Sequence, residues 1–307
     1  MSDIVIIGGI NIDIEGYPYR ELKYQDSNPG KISISYGGVG RNIAENAARM
    51  GASVAMASAI GNDELGRGAK AHLKSLGVNV SLVREIPDTG SAIYLSILNE
   101  KRDMELGMCD MEIIENLTPE FLRENIRNFE EAKAVALDGN LEEEMLADVT
   151  EMLAGKPFFF DPVSANKAPR AKNLIGRFHS IKPNLIEAEV LSGIEIKAEE
   201  DLRRAGDWFI RQGVKNVYIT LNSEGVYFKN KEKEGFIRPA KSITIKSATG
   251  AGDAFSAMIL TGMARNMEID EIARLGMAAS QVAMESEKAV NDKMSFEEIK
   301  RRVQENV

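Results

Sequence analysis

The stretch SATGAGDAFSAM, residues 247–258, places two glycines and an acid directly before an apolar run of helical composition. The first turn of a helix carries free N–H groups and the positive end of the helix dipole, which together bind anions. Glycines at this point let a bulky anion approach the backbone. The sequence therefore predicts an anion hole formed by the N–H groups of Ala251, Gly252 and Asp253.

The carboxylate of Asp253 needs a separate explanation, because a negative charge beside an anion hole repels a bound phosphate. Phosphoryl transfer supplies one, since it uses a base that orients a hydroxyl group and takes its proton. The alternative is that Asp253 only interacts favourably with the dipole of the helix in its first turn. Local chemistry leaves both interpretations open.

Two pairs of polar residues also have a spacing that suits ligand binding. In GGINID, Asn11 and Asp13 lie on one face of an extended segment and could hold two vicinal hydroxyl groups. In KPNLIEAE, Asn184 and Glu187 lie three residues apart where a strand leads into a helix, and could hold water around Mg²⁺. The alternatives are turn-forming residues for the first pair and a helix cap for the second.

The motif YGGVGRN, residues 36–42, combines close backbone approach with a carboxamide. Gly37 and Gly38 permit a ligand to reach the backbone, and Asn42 offers a donor and an acceptor to a diol. A glycine-rich turn before a helix is the alternative.

Composition argues against several classes of protein. The chain has 307 residues and a net charge of −9, which argues against a broad nucleic-acid-binding surface. Cys109 is alone and cannot form an intramolecular disulfide, and with only His72 and His179 a Cys/His metal cluster is not expected. No window approaches about 18 consecutive apolar residues, and the start of the chain lacks a basic segment before a long apolar one. We therefore expect a cytoplasmic protein without signal peptide, membrane span or nucleic-acid partner.

Short β-branched runs alternate with segments of helical period along most of the chain. Strands that alternate with helices require crossover connections, which favour a mostly parallel sheet covered on both faces. The expected class is therefore α/β. The predicted strands lie in 3–9, 53–61, 133–140, 156–163, 178–184 and 215–222, and the predicted helices in 40–51, 62–77, 118–132, 141–155, 199–213 and 269–287.

Two stretches, 14–36 and 88–111, interrupt this alternation with period-2 patterns, and Ile93, Leu95 and Ile97 fall on one side of the second. We expect hairpins outside the main sheet. Such insertions commonly act as lids or oligomer contacts. Because their edges and apolar faces would be covered by pairing, a homodimer through these hairpins is a further expectation.

The motifs SATGAGDAF, GGINID, GGVGRN and KPNLIEAE, in their order and spacing, resemble those of the ribokinase-like (PfkB-type) carbohydrate and nucleoside kinases. The resemblance covers essentially the whole chain. It implies a three-layer α/β/α sandwich with a small β lid, as one kinase domain over residues 1–307 with lid insertions at about 14–36 and 88–111. It also implies transfer of a phosphoryl group from ATP, with Mg²⁺, to a small-molecule nucleoside or sugar.

The same resemblance implies a role for each motif. Asp253 matches the catalytic base of the family. Asn184 and Glu187 match a motif tied to Mg²⁺ and the nucleotide phosphates, with Glu187 acting on the metal through water. The anion hole that neutralises the transferring phosphoryl group is matched by Gly250, Ala251 and Gly252, the sugar-binding positions by Asn11, Asp13, Gly38 and Asn42, and the nucleotide-binding loop by Thr220 and Gly225 in TLNSEGVYF.

Within the family, SNPGKI, SAIYLSILNE and DPVSANK resemble the subgroup that phosphorylates pseudouridine, which implies 5′-phosphorylation of that nucleoside. Lys167 in DPVSANK matches the subgroup's basic residue near the substrate or phosphate, and a solvated surface lysine is the alternative. Many members carry an acid where this chain has Ser247, and that acid helps bind a monovalent cation, so a monovalent-cation requirement stays open. Asn222 replaces a loop glycine and is predicted to keep the shape of the loop, because Asn tolerates positive φ.

Other functions stay open at this point. The acceptor could be another nucleoside or sugar, such as uridine, adenosine, ribose or fructose. A nucleoside- or sugar-binding protein without catalysis is a second possibility, although a binder gains nothing from Asp253 beside an anion hole. An NAD-dependent dehydrogenase is disfavoured because the glycine fingerprint is missing after the first strand.

Overall fold

The β-branched runs of the sequence form the strands of a large central sheet. A computed structural model describes residues 2–239 and 243–305. Its strands are, in chain order, β1 (Ile4–Ile7), β2 (Asn11–Pro18), β3 (Gly30–Gly37), β4 (Val54–Gly61), β5 (Asn79–Ile86), β6 (Ile93–Leu98), β7 (Met104–Asp110), β8 (Ala134–Asp138), β9 (Phe158–Asp161), β10 (Ser180–Ile181), β11 (Asn216–Thr220), β12 (Val226–Lys229) and β13 (Glu234–Ile237).

The central sheet has nine strands in the order β13-β12-β11-β10-β9-β8-β1-β4-β5. The strands from β11 to β5 run parallel, and β12 and β13 add an antiparallel hairpin at one edge. The mostly parallel sheet predicted from the alternation of strands and helices is confirmed.

Helices cover both faces of this sheet. They are α1 (Val39–Arg49), α2 (Glu64–Ser75), α3 (Pro119–Glu124), α4 (Arg127–Glu130), α5 (Glu143–Met152), α6 (Leu185–Ser192), α7 (Glu199–Gln212), α8 (Ala251–Ala264), α9 (Ile269–Met284) and α10 (Phe296–Glu305). In β1, Ile4 and Ile6 pack with α1, α2 and α8–α10, whereas Val5 packs with α3–α7 on the other face. This arrangement is the predicted three-layer α/β/α sandwich. Within the described part of the chain, no helix combines the length and the hydrophobicity needed to cross a membrane.

One predicted helix was wrong in detail, and three strands were not predicted. The segment 118–132 forms two short helices instead of one, because α3 ends at Asn125, whose side-chain amide donates to the Phe121 carbonyl (2.8 Å). Strand β5 was not predicted, since it lies at the sheet edge and alternates buried and exposed residues instead of forming a continuous apolar run. The hairpin of β12 and β13 was also missed, because each strand has only four residues.

The two stretches with period-2 patterns contribute the strands of a separate four-stranded sheet, in the order β3-β2-β6-β7, called the small sheet below. Strand pairing aligns Ile14 with Ile34, Leu95 and Met108 across one face. Asp13 therefore points to the opposite face, because successive side chains of a strand alternate. The small sheet has one apolar face and one face that carries the Asp13 carboxylate.

Candidate active site

The candidate residues lie at one edge of the central sheet, where the parallel strands end. Ligands of parallel α/β sheets bind outside the carboxyl ends of the strands. Helices α1 and α8 begin at the same edge, since Asn42 of α1 and Asp253 of α8 are hydrogen-bonded. Strand ends at this edge carry Gly8, Asp138, Asp161, Lys182 and Thr220.

Helix α8 begins with a glycine that no other residue could replace without strain. Gly250 has φ 80°, and a Cβ there would overlap the carbonyl oxygen of Ala289. No side chain caps the helix. Among the described residues, the amides of Gly252 and Asp253 have no hydrogen-bond acceptor. These two N–H groups leave the amino end of α8 open to an anion.

The prediction of three free amides was wrong for one of them. The N–H of Ala251 donates to the carbonyl oxygen of Ala248 (3.3 Å), because the chain makes a turn immediately before the helix. The anion hole of the structure therefore has two free amides, those of Gly252 and Asp253.

Asp253 lies in the first turn of α8, and its Oδ2 accepts a hydrogen bond from Nδ2 of Asn42 (2.7 Å). Burial and the negative charge of Asp161 raise the pKa of Asp253 to about 7, against the opposing effects of the Asn42 hydrogen bond and of Lys182. A carboxylate with a pKa near the working pH is well matched to accept a proton. An acid that only interacts with the helix dipole needs neither burial nor a hydrogen-bond partner from another helix. Asp253 has both.

Lys182 and Asp161 were not selected from the sequence, although both are part of the site. Lys182 follows β10, its side chain is 6% exposed, and its Nζ lies 3.4 Å from Oδ2 of Asp161. A Cβ on Gly252 would lie 3.5 Å from the same Nζ. Burial opposes the charge of Lys182, but Asp161, Glu187 and Asp253 outweigh it and raise the pKa above its usual range. A buried ammonium group therefore lies beside the open end of α8.

Sequence reasoning had a signal for both residues. Asp161 ends the apolar run FFF of β9, and Lys182 directly follows β10, so each stands at the carboxyl end of a buried strand. Asp161 also accepts a hydrogen bond from Oγ of Ser256 in α8 (2.6 Å). Charged residues at the ends of buried parallel strands are candidates for ligand binding wherever they occur.

The predicted sugar-binding residues lie together at the base of the small sheet. Nδ2 of Asn11 donates to Oδ1 of Asp13 (2.6 Å). Burial raises the pKa of Asp13, with the Asn11 hydrogen bond acting in the opposite direction. Gly38 has φ 96°, and a Cβ there would overlap the Gly9 carbonyl oxygen. Only glycine lets the residue before α1 lie this close to the backbone of Gly9 and Asn11.

Asp138 holds this region together and was also missed from the sequence. Its Oδ2 accepts the N–H groups of Gly9 (3.0 Å) and Gly40 (2.9 Å), so it ties the end of β1 to the start of α1. Burial raises its pKa, against the backbone hydrogen bonds that it accepts.

Lys167 lies nearby, half-buried, and its Nζ donates to Oδ1 of Asn140 (2.5 Å). Lys167 is thus held by Asn140 and differs from a freely solvated surface lysine.

The residues predicted to bind the nucleotide meet at the ends of β10 and β11. Asn184 and Glu187 form a complete capping box at the start of α6, so the helix-cap alternative is realised in the structure. Asn184 also pairs with Thr220 in an isolated β-bridge. Gly225 closes the following turn, where its carbonyl accepts the N–H of Leu221 (2.8 Å). Asn222 has φ 52°, a left-handed conformation that Asn tolerates.

The residues present fit a magnesium ion only if water and phosphate complete its coordination. No three His, Cys, Asp or Glu side chains lie together as a metal cage in the described residues. Mg²⁺ commonly binds through one or two carboxylates, waters and substrate phosphates, with no dedicated protein cage. Glu187 is buried, its pKa is raised by that burial, and it lies close enough to Asp161 to feel its charge. Glu187 and Asp161 therefore supply the one or two carboxylates that a magnesium ion commonly binds.

Comparisons with known proteins agree with this geometry. The pfkB family of carbohydrate kinases matches residues 1–295. Pseudouridine kinase of Escherichia coli (strain K12) is 36% identical over 294 residues, which cover 95% of this chain and 94% of that protein. Guanosine-inosine kinase of Exiguobacterium acetylicum is 28% identical over 298 residues, which cover 96% and 98% of the two chains. The structure of Arabidopsis thaliana ribokinase complexed with ribose and ATP is 20% identical, has a TM-score of 0.81 and covers 99% of both chains, which shows the same fold.

Proposed function

Because this chain belongs to the pfkB family of carbohydrate kinases, we propose that it transfers the γ-phosphoryl group of ATP to the 5′-hydroxyl of pseudouridine. Membership of this family of carbohydrate kinases implies a phosphotransferase with an alcohol acceptor. The observation that carries the catalytic part of the proposal is the buried Asp253 carboxylate, held by Asn42 beside the open amino end of α8 and the Lys182 ammonium.

Pseudouridine is supported as the acceptor by the 36% identity with the Escherichia coli pseudouridine kinase over nearly the whole chain. A second candidate acceptor is another nucleoside, because a guanosine-inosine kinase also matches over nearly the whole chain. The ribose of each of these nucleosides would bind in the same way to Asn11, Asp13 and Asn42. Contacts with the nucleobase must therefore decide which nucleoside is the acceptor. A cytoplasmic location is part of the proposal, since the lone Cys109 fits a reducing compartment.

In the proposed reaction, the acceptor hydroxyl lies between Asp253 and the amino end of α8. Its oxygen attacks the γ-phosphorus, its proton passes to a carboxylate oxygen of Asp253, and the bond from the γ-phosphorus to the β,γ-bridging oxygen breaks, which releases ADP. The amides of Gly252 and Asp253 and the ammonium of Lys182 stabilise the charge on the transferring group.

The donor phosphates would extend from α8 toward Asn184, Thr220 and Gly225 at the ends of β10 and β11. Positive charge to offset that of the phosphates would be supplied there by Mg²⁺. Glu187 and Asp161 are the residues that would hold it, with water between. Their carboxylates also hold Lys182 in its charged form.

Phosphorus-31 NMR of a reaction with MgATP and pseudouridine tests this proposal. The expected product is a monoester whose phosphorus couples to the two 5′ protons of the ribose, formed together with one equivalent of ADP. Formation of ADP without a sugar phosphate, or a phosphate on another hydroxyl, would contradict the proposal.

Replacing Asp13 with Ala is expected to raise the KM for the nucleoside about 100-fold with a smaller effect on kcat, since each hydrogen bond to a charged group contributes about 1.5–3 kcal/mol. Asp13 is half-buried and oriented by Asn11. Steady-state kinetics with varied nucleoside measures the change. The control is Asp26→Ala in the exposed turn between β2 and β3. An unchanged KM in Asp13→Ala would remove Asp13 from the sugar site.

We also propose that the small sheet acts as a lid over the nucleoside and as the contact of a homodimer. Its apolar face carries Ile34 and Met108 in one row with Ile14 and Leu95, and Ile34 is 57% exposed. A monomer rarely leaves such a contiguous apolar patch uncovered. Since the strands β3 and β7 at its edges are unpaired in the described structure, a second copy could cover both face and edge.

The substitution Ile34→Glu is expected to convert a dimer to a monomer, because it places a charge within the apolar face, beside the β3 edge that a second copy would cover. Sedimentation velocity at micromolar concentration measures the change. Ile186→Glu is the matched control, because Ile186 is 59% exposed on α6, outside the small sheet. A monomeric wild-type protein, or a dimer that survives Ile34→Glu, would rule out this interface.

A further inference from the structure

Arg41 is a buried cation one residue before Asn42 in α1, and it takes no part in the reaction proposed above. Its side chain is 6% exposed. One guanidinium nitrogen donates to the carbonyl oxygen of Tyr36 (2.8 Å) and to Oδ1 of Asn42. The other terminal nitrogen donates to Glu45. A group this deeply buried requires compensation, and it receives it from three oxygens in three different residues.

The contact with Asn42 decides which way its carboxamide points. With Oδ1 held by the guanidinium, Nδ2 is directed at Oδ2 of Asp253 (2.7 Å). If the carboxamide turned over, its NH₂ group would face the donors of Arg41 and its oxygen would face the Asp253 carboxylate. Both contacts would then be repulsive, so Arg41 stabilises the orientation that donates to Asp253.

Arg41 also connects the catalytic edge to the small sheet. Tyr36, whose carbonyl it binds, is the residue before the last of β3. The positive charge of Arg41 acts on Asp13 at the base of that sheet and on Asp253 in α8. Arg41 thus contacts strand β3 of the small sheet directly and the carboxylate of Asp253 through Asn42.

We propose that Arg41 is a positioning residue, which fixes the Asn42 carboxamide against Asp253 and ties it to the backbone of strand β3. The inference rests on the proposed function, in which Asp253 is the base. The hydrogen bonds of Arg41 go to Tyr36, Asn42 and Glu45, so it acts on Asp253 through Asn42. By keeping Asn42 on Oδ2 of Asp253, it leaves Oδ1 to accept the proton of the acceptor hydroxyl in a fixed orientation.

The charged groups around Asp253 define what the loss of Arg41 would do. Asp161, from β9, and Asp138, from β8, oppose ionisation of Asp253, whereas Lys182 favours it. Arg41 adds a second positive charge from α1. Its removal therefore disfavours the ionised form of Asp253 both directly and through the loss of a well-oriented Asn42 hydrogen bond.

The test compares Arg41→Met and Arg41→Lys with Arg49→Met. Arg49 pairs with the same buried Glu45 (2.8 Å) but is not among the hydrogen-bond partners of Asn42, so it controls for damage to the ion-pair cluster. In Arg41→Met, Glu45 keeps Arg49 and His72 as partners, which favours folding. Thermal unfolding confirms that each variant is folded before its kinetics are compared.

For Arg41→Met, kcat is expected to fall about 100-fold, the loss typical of a small misplacement of reacting groups, with the KM for ATP unchanged. The acidic limb of kcat/KM, which reports the free enzyme, should lie near pH 7 in the wild type because Asp253 has a pKa of about 7. It should move to higher pH in Arg41→Met. Arg41→Lys should recover part of kcat, because a lysine restores the charge but not the planar fork.

Two results would overturn the inference. In the first, folded Arg41→Met keeps wild-type kcat and an unshifted acidic limb. In the second, Arg49→Met shows the same loss of kcat and the same shift, which would assign the effect to the Glu45 cluster.

A carbon-13 NMR titration of the Asp253 carboxyl group, assigned with Asp253→Asn, separates this inference from the proposed function. It needs no turnover. A higher pKa in Arg41→Met than in the wild type supports the positioning role even if no acceptor is phosphorylated, and an identical pKa in both proteins contradicts it.

Discussion

Replacing Asp253 with Asn is expected to lower kcat about 1000-fold, within the range of about 10² to 10⁴ that a general base contributes, while nucleoside binding is retained. The substitution keeps the size of the side chain and can still accept the hydrogen bond from Asn42. It removes the ability of the side chain to take the proton of the acceptor hydroxyl and leaves the backbone amide of Asp253 in place. Steady-state kinetics and isothermal titration calorimetry with the nucleoside measure the two effects separately.

The control for this substitution is Asp270→Asn. Asp270 is also an acid in the first turn of a long helix, α9, but its carboxylate pairs with Lys233 (2.8 Å) and Arg274 (2.8 Å) at the surface. If Asp253 only complements the helix dipole, the two variants should behave alike. Near-normal turnover in Asp253→Asn would show that Asp253 is not the base and would favour a simple interaction with the helix dipole.

Lys182→Met is expected to lower kcat about 100- to 1000-fold, the loss seen when one group that stabilises transition-state charge is removed. The ammonium of Lys182 lies beside Gly252 at the open end of α8, where the transferring phosphoryl group is expected. It also opposes the rise in the pKa of Asp253, so the acidic limb of kcat/KM should move to higher pH in the variant. Kinetics over a pH series measures both changes.

Stability must be followed in the same experiment, because Lys182→Met leaves Asp161 without its ion-pair partner in a buried site. Breaking a buried pair in this way costs about 3–5 kcal/mol. Lys229→Met is the control, because Lys229 is partly buried and pairs with Asp207 (2.9 Å) and Glu234 away from the site. If folded Lys182→Met turns over no more slowly than Lys229→Met, Lys182 has no part in catalysis.

The parts of the site that the sequence predicted well depend on local rules. A helix that begins with glycines and an acid, TGAGD, limits where α8 can start, and period-2 alternation places Asn11 and Asp13 on one face. Buried runs such as IVII and FFF have no polar face, so they predict strands covered on both sides. In each case the information lies within a few neighbouring residues.

The parts that could not be predicted depend on contacts between distant segments. Asn42 and Asp253 are 211 residues apart in the chain and meet only when α1 and α8 pack at the same sheet edge. Lys182 and Asp161 become a pair only when β9 and β10 lie side by side. Single-sequence periodicity contains no information about either pairing.

The turn before α8 shows a third limit. A helix start predicts free amides, but whether one of them is used by a preceding carbonyl depends on the backbone conformation of the turn. Ala248 takes the N–H of Ala251 because Gly250 adopts a positive φ. Strand β5 illustrates the same point on a larger scale, because its edge position is decided by the order of the whole sheet.

The acceptor and the role of Asp253 are tested together by kcat/KM with MgATP, followed by ADP release, for the wild type and Asp253→Asn in parallel. The acceptors are pseudouridine, uridine, cytidine, adenosine, inosine, ribose and fructose. We expect kcat/KM for pseudouridine to exceed that for uridine by orders of magnitude and the variant to be inactive with every acceptor. A preference for another acceptor would contradict pseudouridine as the substrate while leaving the kinase chemistry intact. No turnover of any acceptor by well-folded wild-type protein would contradict the catalytic role of the site itself.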